Sequence, residues 1–321
     1  MGLGQGLNQA AKQLFLQASE RAEPLRVQAQ RLACGAQLLD FGVHVPGGLQ
    51  AGLQLASLCM AGQSRVQLAS GPQSVWPGPW VQVQSDHPLQ ACMLAQYAGW
   101  PVQHDKFFAM GSGPMRLRRG KEDLLESLGA GDTGPWAVGT LECDALPAED
   151  LAMAMAAECG TPVENLCLAV APTRSIAGGV QVVARSVETC LHKLHELGFE
   201  LSAVHSAYGL APLPPSTPDF ALGIGRTNDA ILYGGRVSLW VDADDEQLQA
   251  LGAKLPSSAS ADFGQPFASI FKRCNYDFYK IDPGLFSPAE ITLLNLRSGC
   301  SWRFGELRGD LLAQSFQTQQ A

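Results

Sequence analysis

Apolar side chains at Val180, Val183, Val187, Leu191 and Leu194 recur at helical spacing, just after a run of helix breakers over 171–179. The pattern predicts a helix over about 179–197, closed by Gly198. A second face made by Leu7, Leu14, Ala18, Leu25 and Leu32 predicts a helix over 7–32. Residues 66–69 and 80–84 alternate with period two and read as strands, and a shorter strand is expected at 37–41. Apolar runs at 136–142 and 165–171 read as buried strands flanking a helix at 149–158. Pro88 opens a helix that reaches Tyr97 and stops at Gly99. After it, 107–114 reads as a glycine-punctuated loop and 116–126 as a charged segment.

The second half repeats the alternation. A strand at 201–207 leads to a stiff loop at 208–215, then a short capped helix or turn at 225–235 and a strand at 236–241. Helices near 244–252, 265–273 and 307–316 and a strand at 290–296 follow, and the tail 317–321 is expected to fray. No internal repeat or low-complexity linker is found. The reading is a mixed α/β (α+β) chain with two closely packed lobes, about 1–165 and 166–316.

Composition narrows the function classes. Only 16% of the 321 residues are charged, which implies that much surface is covered between lobes or subunits. The net charge of −8 argues against a nucleic-acid binder held by phosphates. No apolar stretch reaches the roughly 20 residues that span a bilayer. The nine cysteines are scattered and form no Cys-x-x-Cys pair, so neither a disulfide framework nor a zinc ribbon is indicated. A protein of a reducing cytoplasm, with no metal site, is expected.

Candidate chemistry is sparse. Arg185 and Glu188 lie three apart on the predicted helix and therefore side by side, either as a solvated ion pair or as an acid/base pair. Gly111-Ser112-Gly113 could offer backbone N–H groups to an anion, but it lacks the Lys-Ser/Thr ending of a P-loop and reads more readily as a simple turn. The knot Arg226-Thr227-Asn228-Asp229 precedes an apolar run and suits either ligand contact or helix capping. His192 and His195 share a helix without a partner at metal-site spacing. No nucleotide-binding glycine fingerprint and no nucleophile elbow is found.

Six segments together resemble the methenyltetrahydromethanopterin cyclohydrolase family. They are Asp86-His-Pro, the 107–114 segment, Ala171-Pro-Thr with Ser175-Ile, Ala184-Arg-Ser-Val-Glu-Thr189, the 225–235 segment and Tyr276-Asp-Phe-Tyr-Lys-Ile-Asp-Pro-Gly284. They occur in the family's order across nearly the whole chain. The resemblance implies a two-lobed α/β fold with an inter-lobe substrate cleft, assembled as a homo-oligomer, a trimer by preference. It implies reversible hydrolysis of the N5,N10-methenyl bridge of tetrahydromethanopterin to the N5-formyl product, with no metal or redox cofactor. Glu188 matches the family's general base and acid, and Arg185 its partner. Gly111, Ser112, Gly113 and Ser175 are implied contacts for the pterin or its tail, and Arg226, Thr227, Asn228 and Asp229 for the cleft wall. Mild charge and glutamine-rich ends suggest a bacterium oxidising formaldehyde. Alternatives are a methenyl-tetrahydrofolate cyclohydrolase and a pterin-binding protein without catalysis.

Overall fold

A computed structural model describes residues 2–317; of the tail expected to fray, 318–321 lie outside the described residues. Twelve strands are seen among them: β1 (Gln28–Arg31), β2 (Gln37–Asp40), β3 (Arg65–Ala69), β4 (Trp80–Ser85), β5 (Trp100–His104), β6 (Phe107–Ser112), β7 (Ala137–Glu142), β8 (Leu166–Ala171), β9 (Val204–Pro212), β10 (Arg236–Val241), β11 (Glu290–Asn295) and β12 (Ser301–Gly305). They form two six-stranded mixed sheets. The chain divides into two compact units, 1–64 with 90–181 and 65–89 with 182–321. Sequence alternation alone suggested a boundary near 165. The strand β8 instead belongs to the first unit, because its partners there are β2 and β7.

The sheet of the first unit runs β1-β2-β8-β7-β6-β5. Its centre, β2, β8 and β7, is parallel, and β8 is buried at every position, which is why 165–171 reads as a continuous apolar run. On one face, Leu39, Val138, Cys167 and Ala169 pack with Leu7, Phe15, Leu55 and Leu58 from helices Leu7–Glu20 and Leu49–Cys59. On the other, Leu38, Leu141, Leu168 and Val170 pack with Leu151 and Met155 from helix Glu149–Glu158.

Several elements differ from the sequence reading. The helix expected over 7–32 stops at Glu20. A one-turn helix, Ala22–Leu25, follows, and Arg26 in the left-handed region turns the chain into β1. Residues 107–112 are strand β6 rather than loop, since β5 and β7 supply hydrogen-bonding partners on both edges. The helix after Pro88 is a π-helix, Leu89–Gln96, and the buried Arg116 guanidinium donates to its carbonyls at Met93, Leu94 and Ala95. Arg116 is paired with Glu122 and stacks over Tyr97. Tyr208–Pro212, expected in a loop, continues β9 because β4 and β10 both pair with it.

The sheet of the second unit runs β12-β11-β10-β9-β4-β3, with only β10 and β11 parallel. Helix Ser186–Glu196 packs on β9 and β10 through Val187, Leu191 and Leu194, the apolar stripe seen in the sequence. A side chain at Gly209 of β9 would put its Cβ 2.4 Å from Ser186 Oγ and 2.8 Å from Val187 Cγ2. Glycine is therefore what lets the start of this helix lie flat on the strand. We expect Gly209→Ala to cost about 1–3 kcal/mol, the usual penalty of overpacking. A urea midpoint equal to that of the wild type would show that the helix has room to shift.

Candidate functional site

The helical run predicted over 179–197 is two helices, Ile176–Val183 and Ser186–Glu196. The break follows from the tighter turn at Arg185, whose N–H donates to Val182 O, three residues back. Arg185 is thus the N-cap residue of the second helix, and Glu188 lies in its first turn. A guanidinium at a helix N-terminus opposes the helix dipole, whereas a carboxylate there is favoured. The two charges meet at 3.6 Å, Arg185 Nη1 to Glu188 Oε2, and each residue is only 5% exposed. This is a buried ion pair, and the solvated-surface alternative is set aside. At the other end of the helix, Lys193 Nζ donates to Gly284 O at 3.0 Å and pins the helix to the Asp282-Pro283-Gly284 turn. Burial lowers the Lys193 pKa, and the nearby Asp282 works against that shift.

The remaining predicted residues fall into two groups. In the first unit, Gly111 and Ser112 end β6, and Gly113 follows with a positive φ of 89°. The Gly113 N–H is already given to Ala95 O at 2.8 Å, so that amide serves the turn and not an anion nest. Ser112 is buried, with its Oγ 3.3 Å from Cys59 Sγ. Ser175 caps the helix that follows it, accepting from Gly178 N–H at 3.0 Å and donating to Pro172 O at 2.8 Å.

In the second unit, Arg226, Thr227, Asn228 and Asp229 all lie inside helix Phe220–Leu232, where the sequence suggested a short capped helix or turn. Their polar atoms are used by the protein. Arg226 donates to Ser315 O, Pro215 O and Gln317 Oε1. Thr227 donates to Gly223 O and Asn228 to Ile224 O, one turn back on their own helix. Asp229 accepts from Phe267 N–H at 2.8 Å and Ser315 Oγ at 2.6 Å. The knot ties three helices, Phe220–Leu232, Phe267–Arg273 and Gly309–Phe316.

One polar position was missed in the sequence: Gln181, fully buried in the otherwise apolar helix Ile176–Val183. The available signal was a lone carboxamide amid valines. Among the described residues, no three His, Cys, Asp or Glu side chains stand together as a metal cluster. No described helix is long and apolar enough to cross a membrane.

Comparison with known proteins adds lineage to this geometry. A family model described as Cyclohydrolase (MCH) matches residues 6–316. The methenyltetrahydromethanopterin cyclohydrolase of Rhodopirellula baltica is 49% identical over 320 residues, covering 98% of this chain and 96% of that protein. The protein of the same name from Methylobacillus flagellatus is 46% identical over 312 residues, covering 97% and 95%. That from Methanospirillum hungatei is 41% identical over 311 residues, covering 97% and 98%.

Burial pushes the Asp229 carboxyl up from 3.8 to about 7, against the pull of its bonds from Ser315 and Phe267. The folded protein therefore holds a proton there that the unfolded chain gives up near pH 4. The stability tied to that proton is full below pH 4 and is lost as pH rises to about 7, at roughly 1 kcal/mol per pH unit. We expect Asp229→Asn, which keeps the shape and the bond from Phe267 N–H and turns the other round so that the amide donates to Ser315 Oγ, to flatten this slope. Urea midpoints of both proteins at pH 5 and pH 8 check it, and equal wild-type and variant slopes would refute it.

Proposed function

The chain belongs to the Cyclohydrolase (MCH) family, and from that premise we propose that Arg185 and Glu188 are the working pair of a methenyltetrahydromethanopterin cyclohydrolase. The observation that carries the assignment is the buried pair itself, 3.6 Å apart at the start of a helix. The substrate's methenyl carbon bridges two nitrogens as an amidinium and is already electrophilic. No strong nucleophile has to be generated, and neither metal nor redox cofactor is proposed.

The carboxylate of Glu188 takes a proton from one water as that water adds to the bridging carbon. The resulting hydroxyl-bearing carbon is attached to N5 and N10. Glu188 then returns that proton to N10 as the C–N10 bond breaks, and the hydroxyl loses its own proton to solvent as the carbon becomes a formyl group on N5. The sum is one cation and one water in, one neutral formyl product and one proton out. Arg185 holds the carboxylate in place, and the anion attracts the bound cationic ring.

The setting proposed is formaldehyde oxidation in the one-carbon metabolism of a bacterium, in a reducing cytoplasm. The nine cysteines support that compartment, since all are free. A homo-oligomer, by preference a trimer, belongs to the same reading and is supported by the 16% charged fraction. Light scattering of the purified protein decides it, and a monomer at micromolar concentration would remove that part.

Two measurements test the activity. Purified protein is mixed with methenyl-tetrahydromethanopterin and, separately, with methenyl-tetrahydrofolate, and loss of the methenyl absorbance is followed. Hydrolysis of the first alone is expected; turnover of only the folate, or tight binding of the methanopterin without turnover, would replace this reading. Glu188→Gln should keep the fold at a cost in stability, since it leaves the Arg185 charge without its carboxylate, and lose at least about 100-fold in kcat, the usual worth of a positioned base. Near-wild-type turnover in that variant removes Glu188 from the mechanism.

A further inference from the structure

The proposed reaction releases one proton per turnover, and it does so beside a pair whose residues are each only 5% exposed. A proton left there has to reach bulk water. Helix Ser186–Glu196 carries two further titratable groups on the side that holds the pair, His192 and Glu196. They follow Glu188 at four-residue steps, so the three side chains form one row along the helix. The row is turned away from the stripe of Val187, Leu191 and Leu194 that lies on β9 and β10. Side-chain exposure climbs along it, from 6% at Glu188 through 27% at His192 to 55% at Glu196. The row runs from a dry end to water.

Helix side chains lean toward the N-terminus. His192 therefore leans toward Glu188, with Cβ atoms about 5–6 Å apart, a gap that the side chains close directly or through one water. Glu196 leans toward His192 in the same way, and its Oε1 stands 3.7 Å from His192 Nε2. A helix-surface pair of this spacing is worth only about 0.2–0.5 kcal/mol, so stability gives little reason to half-bury an imidazole here. Imidazole does suit the middle of such a row, because it takes a proton on one nitrogen and releases one from the other. Burial lowers the His192 pKa; Glu196 works against that shift, and His195 and Lys193 add to it. The resting ring is thus neutral at pH 7 and ready to accept.

We propose that His192 and Glu196 are the proton-release route of the reaction assigned above, a reading on which this inference rests. Once N10 has taken the first proton, the Glu188 carboxylate is an anion again and takes the proton left on the hydroxyl. It passes that proton to His192 Nδ1, the ring gives its Nε2 proton to Glu196, and Glu196 gives it to water. Exchange with water returns the ring to its first tautomer. No electrons move, and one proton is delivered per turnover. In the formyl-to-methenyl direction the same row brings the proton in.

His192→Ala puts a good helix former at the position and leaves room for a small base. In dilute buffer kcat should fall about tenfold, less than for loss of the base itself, because water remains as a slower acceptor. KM should stay within twofold. Added imidazole should restore most of the lost kcat, whereas a structural defect would not respond to it. A kcat within twofold of wild type in dilute buffer, or a loss that imidazole leaves in place, overturns the relay. A second measurement needs no turnover and tests the step between Glu188 and His192 even if the wild type hydrolyses neither substrate. The His192 ring is titrated by NMR in the wild type and in Glu188→Gln, where loss of the neighbouring anion should lower its pKa by about half a unit or more. A ring that titrates at the same pH in both proteins overturns that step.

Discussion

An arginine and a glutamate with their charges 3.6 Å apart, each 5% exposed, set the terms for the unit around them. Removing a carboxylate and a guanidinium from water costs several kcal/mol per ion, offset only while the geometry holds. Arg185 also opposes the helix dipole, so Glu188 in the first turn is what makes its position tolerable. The geometry is held from both sides. Val187, Leu191 and Leu194 lay the helix on β9 and β10, Gly209 lets it approach closely, and Lys193 fastens its far end to Gly284. A helix fixed by apolar contacts alone could slide by fractions of an ångström, and a buried ion pair would lose its balance.

The polar groups of this protein divide into those saturated by the fold and those that are not. Arg116 and Arg226 are both buried, and each spends its donors on backbone carbonyls or side-chain acceptors. Asp229 and Ser175 are saturated in the same way. A saturated group holds elements together but has little left to give a ligand. The Arg226–Asp229 knot belongs with the saturated groups, whereas Gln181 Oε1 and Thr140 Oγ1 have no hydrogen-bond partner in the protein. Density of polar residues along a sequence does not separate the two cases; only the partners do.

Local pattern made much of the fold legible. Strands β3, β4, β7, β8 and β10 and helix Glu149–Glu158 lie where alternation or an apolar run put them. What escaped depends on pairing between distant segments. Residues 107–112 look like loop because Gly111 and Ser112 weaken the pattern, and they become β6 because β5 and β7 lie on either side. Residues 208–212 carry a glycine and a proline, yet β4 and β10 hold them extended. The π-helix at Leu89–Gln96 looks like an ordinary helix in sequence, since its apolar content does not reveal the wider turn that Arg116 stabilises from 20 residues onward. At the site, spacing alone put Arg185 beside Glu188 but could not say that the pair is buried. Burial is set by what packs over it, and no local pattern carries that.

The charge balance of the proposed reaction explains why such a pair suits it. Arg185 and Glu188 together carry no net charge. Arrival of the cationic methenyl ring makes the ensemble positive by one, and hydrolysis returns it to neutrality only when a proton leaves. In the proposed sequence the carboxylate holds the water's proton until N10 takes it, the released proton is the one left on the hydroxyl, and the neighbouring arginine favours the carboxylate anion. Because one proton is released per turnover, the equilibrium shifts about tenfold per pH unit by mass action. The protein cannot alter that dependence. In the proposed mechanism its contribution is a buried carboxylate with a guanidinium 3.6 Å away, burial favouring the protonated form and the opposite charge favouring the anion.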